Sequence, residues 1–434
     1  MKKSVILLIL LLSAALTWSA GQQETPAEQG SAAKQVLEYW HFWGGKSEYP
    51  AIKKVMDAFT AQHPEIEIKE SNFGNAELRR QLELSFMAGD PPDMYNGPVG
   101  YGFRSYQMAG HLQPISDVWK EVDGENIFPE GVKSVVTWEG EAWTMPALVF
   151  QTNNVYYNVK VFNETGVAPV TNYEDFQKIC DKLKASGVNA LIGAGGSATW
   201  TQYALFPFVI NELGPQGYKD MAQGSLEFDS AVMKKLWGQY KQYYVDNLME
   251  GWAGYNWEEA AKPLMEGTAG MYFCQGDWFA GVLLTDGYEP VKDFNIFPAP
   301  GTSEVFIAQI GGFSVPAKAK NPEAAKLFMK HVAEPSVQQE FNAMMGGIAP
   351  NKNVSPESYD TLHKLIYAHF NNPKTTVLPN FNAVVTPDFN RELAKASETF
   401  CTDPSDAVLK GALEGLEAIR EENLASGKFL DWGF

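Results

Sequence analysis

The sequence predicts an α/β protein built as two lobes. Three observations carry that reading. Strands and helices alternate through the first ordered stretch, from Val36 onward. Near the middle, an alternating strand runs through a polar patch into a second apolar run. The chain has 434 residues, enough for about two or three domains.

Val36–Trp43 reads as the first strand, ended by Gly44 and Gly45. Ile52, Val55, Met56 and Phe59 then recur at the spacing of one helical face, and His63-Pro64 stops the helix. Ile66–Ile68 forms a second strand. Leu78, Leu82 and Phe86 mark a second helix, closed by Gly89, and Pro91–Tyr95 leads into a third strand. Such alternation predicts a parallel sheet with helices on its faces. Ligands of such sheets sit beyond the carboxyl ends of the strands, so the loops after Trp43 and Tyr95 are site candidates.

The stretch Glu139–Asn158 organises the rest. Trp143, Met145, Ala147 and Val149 alternate along one side of a strand, and Val155–Tyr157 forms a second run. Between them, Phe150–Asn154 is rich in amides and has no Gly or Pro for a tight turn. A strand continuing through such a patch can leave one lobe and enter another. An ordinary core strand with a bulge is the alternative.

Beyond it, Thr171 and Glu174 form a capping box, and Tyr173, Phe176, Cys180 and Leu183 give the helix its buried face. Ala190–Gly193 is a strand. Gly195-Gly196-Ser197 resembles a phosphate-binding loop only superficially, because no Lys-Ser/Thr follows. Residues 230–250 and 258–266 are helical. Gly267–Cys274 is a turn and strand running into Gln275–Trp278, and Phe294–Phe297 and Val305–Ile310 are further strands. Asn321-Pro322 opens a helix with Ala325, Phe328, Met329 and Val332 inward. The remainder is mostly helical.

Composition narrows the function. Hydrophobic residues make up 45% and charged residues 20%, the balance of a globular chain. A formal net charge of -18 argues against a nucleic-acid partner or a polybasic membrane contact. Lys2 and Lys3, the apolar run to Leu16 and the small residues Ser19, Ala20 and Gly21 fit a secretory signal over residues 1–21. Cleavage before Gln22 is expected, with cleavage after Ala20 the close alternative. Residues 22–35 read as a flexible leader, and no Cys is there to carry a lipid. Cys180, Cys274 and Cys401 allow at most one disulfide. The six His show no metal-ligand spacing, and no cofactor or metal is expected.

Taken together, several motifs resemble the extracellular solute-binding proteins of ATP-driven (ABC) sugar importers, the family of the maltose-binding proteins. They are Tyr39–Gly45, Ala88–Asp93, Gly140–Pro146 with Tyr156–Asn158, Val167 and Pro169 with Thr171–Glu174, Glu266–Met271 with Gly276–Trp278, Gly311–Pro316, Asn321–Ala325 and Gly346–Pro350. Each motif is loose, but their order and spacing span nearly all of residues 36–420. Two features depart from the family pattern: the missing lipid-attachment Cys, and Asp277 where Ser or Pro often precedes the Trp.

The resemblance implies a two-lobed periplasmic binding protein fold of type II, with hinge strands beside a central cleft. It implies an N-terminal lobe of residues 36–149 and 299–317 and a C-terminal lobe of residues 153–296 and 320–434. The crossings are expected near Leu148–Thr152, Phe297–Pro300 and Val315–Lys320. The implied function is non-catalytic: a mono- or oligosaccharide is captured in the cleft and delivered to ABC permease subunits in the inner membrane. A monomeric periplasmic protein, soluble rather than lipid-anchored, is expected.

Sugars present hydroxyl edges and apolar faces, so flat aromatics beside planar polar groups are the residues to seek. Trp278, with Asp277 beside it, is the leading candidate, since the family's Gly-x-Trp aromatic stacks on sugar. Trp43 with Gly44 and Gly45 ends the first strand, and Asn96 follows the third. Gln151 and Asn153 sit at the expected crossing. Trp200 and Trp252 could supply second-lobe plates, and Gly311 and Gly312 would permit close backbone approach. Tyr101, Arg104 and the region Asn380–Asp388 carry fainter signals, and Trp40 and Phe42 read as core. Each of the named candidates has a structural alternative as a core or turn residue. Two other functions compete. A glycoside hydrolase would need paired carboxylates, and Asp277, Asp93 and Glu141 give no reason for pairing. A binder of another solute would need an Arg clamp or a metal cluster, and neither is visible in the sequence.

Overall fold

The structure is a computed structural model that describes residues 34–195, 199–430 and 432. The expected signal segment, nearly all of the leader, and Gly196 and Ser197 lie outside the described residues.

Strand β1 (Gln35–His41) pairs in parallel with β2 (Ile66–Asn72) and with β3 (Met94–Pro98). Helix α1 (Glu48–Gln62) lies between the first two strands and buries Ala51, Ile52, Val55, Met56 and Phe59, the face that the periodicity predicts. Helix α2 (Asn75–Ala88) buries Leu78, Leu82 and Phe86 and turns its charged side outward.

The middle of the chain joins two sheets. Strand β4 (Met145–Gln151) runs antiparallel to a long strand described below and belongs to the first sheet. Strand β5 (Asn154–Asn158) belongs to the second. Only Thr152 and Asn153 separate them. In the second sheet β6 (Asn189–Ile192) pairs in parallel with β7 (Ala269–Gln275), which runs antiparallel to β5. Helices α3 (Thr199–Tyr203) and α4 (Trp278–Thr285) flank it, and β8 (Phe294–Pro298) adds its far edge.

A second crossing follows. The long β9 (Val305–Pro316) returns to the first sheet and pairs antiparallel with both β4 and β3. The next segment departs from expectation. Residues 320–434 do not all join the second lobe. Helix α5 (Pro322–Ala333) packs Phe328 against Tyr39 and Phe313 of the first sheet. Helix α6 (Pro335–Met345) donates from Gln338 and Asn342 to the carbonyls of Pro146 and Ala147 on β4. Strand β10 (Thr376–Pro379) then pairs with Val305–Ala308. The third crossing therefore follows Pro379, not Val315. Helix α7 (Pro387–Thr402) packs against α3 and α8 (Asp406–Ala425) in the second lobe. The buried face of α5 is plain in the sequence, but amphipathic periodicity does not say which sheet a helix covers.

Candidate functional site

The crossing segments are knitted by Asp277 and Asn153, whose side-chain polar atoms are all hydrogen-bonded. The Oδ2 of Asp277 accepts from the Gln151 amide at 2.7 Å, and its Oδ1 accepts from Asn154 Nδ2 and Tyr156 Oη, each at 3.1 Å. Asn153 donates to Thr302 Oγ1 and the Val305 carbonyl, both at 2.9 Å, and accepts from the Ile307 amide at 3.0 Å. Gln151 donates to Asn153 Oδ1 and meets His369 Nδ1 at 3.1 Å. All three residues are at most 1% exposed. Burial pushes the Asp277 carboxyl up to about 7, against the pull of its donors. These residues fasten the joint between the lobes and do not line the cleft, contrary to their expected place at the ligand.

Beside the joint opens a cleft of about 820 Å³. Its aromatic wall comes mainly from the second lobe. The Trp200 ring centre lies 6.0 Å from those of Trp257 and Trp278, and Tyr203 sits 6.2 Å from Trp278. Trp257 and Trp200 are half-buried, whereas Trp278 is buried edge-on to Phe150, with ring centres 5.4 Å apart. The Trp278 ring folds back over Gly276, where a Cβ would stand 2.2 Å from it, so glycine is required there. Phe42, Trp43, Leu148 and Phe150 line the first-lobe side.

Polar groups stand among the rings. Asn75, Gln309, Asn382 and Asn390 line the cleft. Asn382 donates to the Tyr203 hydroxyl at 3.0 Å, and its own Oδ1 accepts nothing among the described residues. Glu48 lines the cleft too and accepts from the Gly45 amide at 3.0 Å. Burial pushes its carboxyl up to about 7, with Glu258 nearby adding to the rise.

Of the expected site residues, Trp43, Trp200, Trp278 and Gly311 line the cleft. Trp43 is only 2% exposed and packs edge-on to Phe313. The others do not. Gly44 and Gly45 form the loop that binds the Glu48 carboxylate. Asn96 lines a side annex of about 50 Å³, and its buried carboxamide makes no hydrogen bond among the described residues. Trp252 is buried against Gly193. Gly312 marks a bulge in the pairing with β4, where a Cβ would meet the Met145 carbonyl at 2.6 Å. Phe42, expected in the core, faces the cleft instead, because it lies just past the end of β1. Tyr101 lines the annex, and the Arg104 guanidinium lies over the Trp138 and Trp432 rings.

Comparison with known proteins assigns this architecture. Residues 43–339, more than half of the chain, match the bacterial extracellular solute-binding protein family. The chain belongs to that family. An uncharacterized ABC transporter extracellular-binding protein of Pyrococcus horikoshii is 28% identical, over 98% of this chain and 96% of that one. A probable sugar-binding periplasmic protein of Brucella suis is 25% identical, over 88% of this chain and 94% of its own. In three dimensions the chain is similar to a chitin oligosaccharide binding protein, with a TM-score of 0.80 at 20% identity, covering 90% of this chain and 99% of that one.

The solute-binding chain thus has two lobes with a cleft at their junction, in a family of binding proteins for ABC transporters rather than enzymes. Among the described residues, no group of three or more His, Cys, Asp or Glu is placed to hold a metal ion, and no helix is long and apolar enough to cross a membrane. The sequence reading missed Tyr203, Trp257, Arg79, Arg391 and Gln309. Trp257 follows the amide Asn256 and carried a signal of the kind sought. The arginines lie on polar helix faces and had none.

Proposed function

We propose that this solute-binding protein captures a sugar in the interlobe cleft and delivers it to a membrane permease. One observation carries the reading: half-buried Trp200 and Trp257 stand beside amides with unused hydrogen-bonding capacity. Rings cover the C–H faces of a pyranose, and planar amides exchange hydrogen bonds with its hydroxyls. The sugar-binding names among its relatives support the same ligand class. The joint at Gln151, Asn153 and Asp277 lets the lobes close over the ligand as rigid bodies. Export by the signal segment of residues 1–21, a periplasmic location without a lipid anchor, a monomeric state and docking of the closed form on permease subunits complete the proposal. The assigned lobes are residues 36–151, 305–345 and 376–379 for the first, and 154–298 and 387–430 for the second.

A thermal-shift screen of the chain lacking residues 1–21 tests it, with neutral and charged saccharides beside amino acids and polyamines. A ligand that binds only the native state raises the melting temperature. A rise confined to saccharides, with the sugar recovered intact, is the expected result. A rise from amino acids or polyamines alone would overturn it.

A further inference from the structure

We infer that the cleft is built for a saccharide bearing a carboxylate, a uronate-containing sugar, rather than a neutral one. This rests on the sugar-binding reading. Its basis is a reversal of charge that the chain as a whole does not show. The protein carries a formal net charge of -18. Yet Arg79 and Arg80 of α2, and Arg391 and Lys395 of α7, all line the cleft, against two acids, Glu48 and Glu83. A cleft in which one sign of charge predominates focuses the field on its ligand.

Two of the four cations are already engaged. Arg80 is forked onto Glu77 at 2.6 and 2.9 Å, and Lys395 faces Glu392 at 3.5 Å. Arg79 and Arg391 are different. Neither forms an ion pair or a hydrogen bond with any described residue, and both are exposed. They come from opposite lobes. Burial pushes the Tyr203 hydroxyl up to about 12, and the charge of Arg79 across the cleft pulls weakly against that rise. Glu48 offsets them only in part near neutral pH, since burial holds its carboxyl up to about 7.

Lobe closure around a neutral sugar would bury two guanidinium groups with no partner, which is unfavourable. Closure around a uronate supplies what they lack. A guanidinium presents paired N–H donors that match the two oxygens of a carboxylate, whereas a primary alcohol offers one acceptor and no charge. The tryptophans would stack on the ring while Arg79 and Arg391 grip the acid.

The test pairs oligosaccharides that differ only at C6. Trigalacturonate and glucuronate-substituted xylo-oligosaccharides are titrated calorimetrically beside their carboxyl-reduced counterparts, with a sulfated oligosaccharide as a third arm. At least one acid should bind about tenfold or more tighter than its reduced form at low ionic strength. That preference should shrink as salt rises. Arg79→Gln and Arg391→Gln should each lower the ratio of the two affinities, and the ligand-free melting temperature checks that each variant folds. Reduced sugars binding as tightly as the acids would overturn the proposal and leave the sugar reading standing. Preference for the sulfate ester would overturn it in favour of a different anion. Binding of no saccharide at all would remove both readings.

Discussion

The joint between the lobes and the wall of the cleft are made of the same residue types and behave in opposite ways. Both set amides and acids among aromatic rings. At the joint, Asp277 and Asn153 are buried and fully hydrogen-bonded to the strands that cross. Along the cleft, Trp200, Trp257 and Asn382 are half-buried, and the carboxamide oxygen of Asn382 accepts no hydrogen bond from any described residue. Saturated polar groups fix a structure, because a buried group left unpaired is costly. Unsaturated ones leave something for a ligand to complete. What separates hinge from site here is therefore hydrogen-bond saturation, not residue type.

The largest test strikes the joint. Asp277→Ala would leave three buried donors, the Gln151 amide, Asn154 Nδ2 and Tyr156 Oη, without their acceptor. Each orphaned donor costs on the order of 1–3 kcal/mol, so a loss of about 3 kcal/mol or more is expected in chemical denaturation. A loss under about 1 kcal/mol would mean that Asp277 is not the fastening.

Glu48 is the intermediate case, a cleft residue whose carboxylate is partly engaged by the Gly45 amide. Burial raises its folded pKa to about 7 from the ordinary carboxylate range. A raised pKa stabilises the fold in full at low pH, below the unfolded value. That stability is lost as pH rises through about 7. Wild type should therefore lose stability relative to Glu48→Gln between about pH 5 and 8, by about 2 kcal/mol. Parallel pH profiles of the two proteins would show that Glu48 is already ionised in the folded state.

The same distinction explains what was legible in the sequence. Strand and helix alternation through residues 36–98 was readable because buried faces repeat with the period of the element, as on α1. The polar patch at Phe150–Asn154 was readable as a crossing for a similar reason, since a strand that goes polar between two apolar runs changes its surroundings. The third crossing was not, because helix periodicity in α5 marks a buried face without naming its partner sheet. Nor was the assignment of Asn153 and Asp277. An amide beside a crossing and an acid beside a Trp look alike whether they face a ligand or hydrogen-bond partners 121 to 154 positions away in the chain. Arg79 and Arg391 gave no signal because their shared place on the cleft wall depends on how the two lobes sit together.

Two tryptophans five residues apart sharpen the comparison most finely. Trp252 is 9% exposed and packs on Gly193, while Trp257 is half-buried beside Trp200 at the cleft. Trp257→Ala should weaken saccharide binding about tenfold, since an aromatic contact contributes roughly 0.5–1.5 kcal/mol beyond its buried area. Its melting temperature should hardly move, because the ring is not in the core. Trp252→Phe keeps an aromatic in place and should do the reverse, costing about 1 kcal/mol of stability through a smaller ring and leaving affinity within about twofold. Calorimetric titration and thermal melts on the same two variants separate the outcomes. If both variants changed affinity equally, the cleft wall would extend beneath Trp252, and saturation would not be the feature that divides this molecule into joint and site.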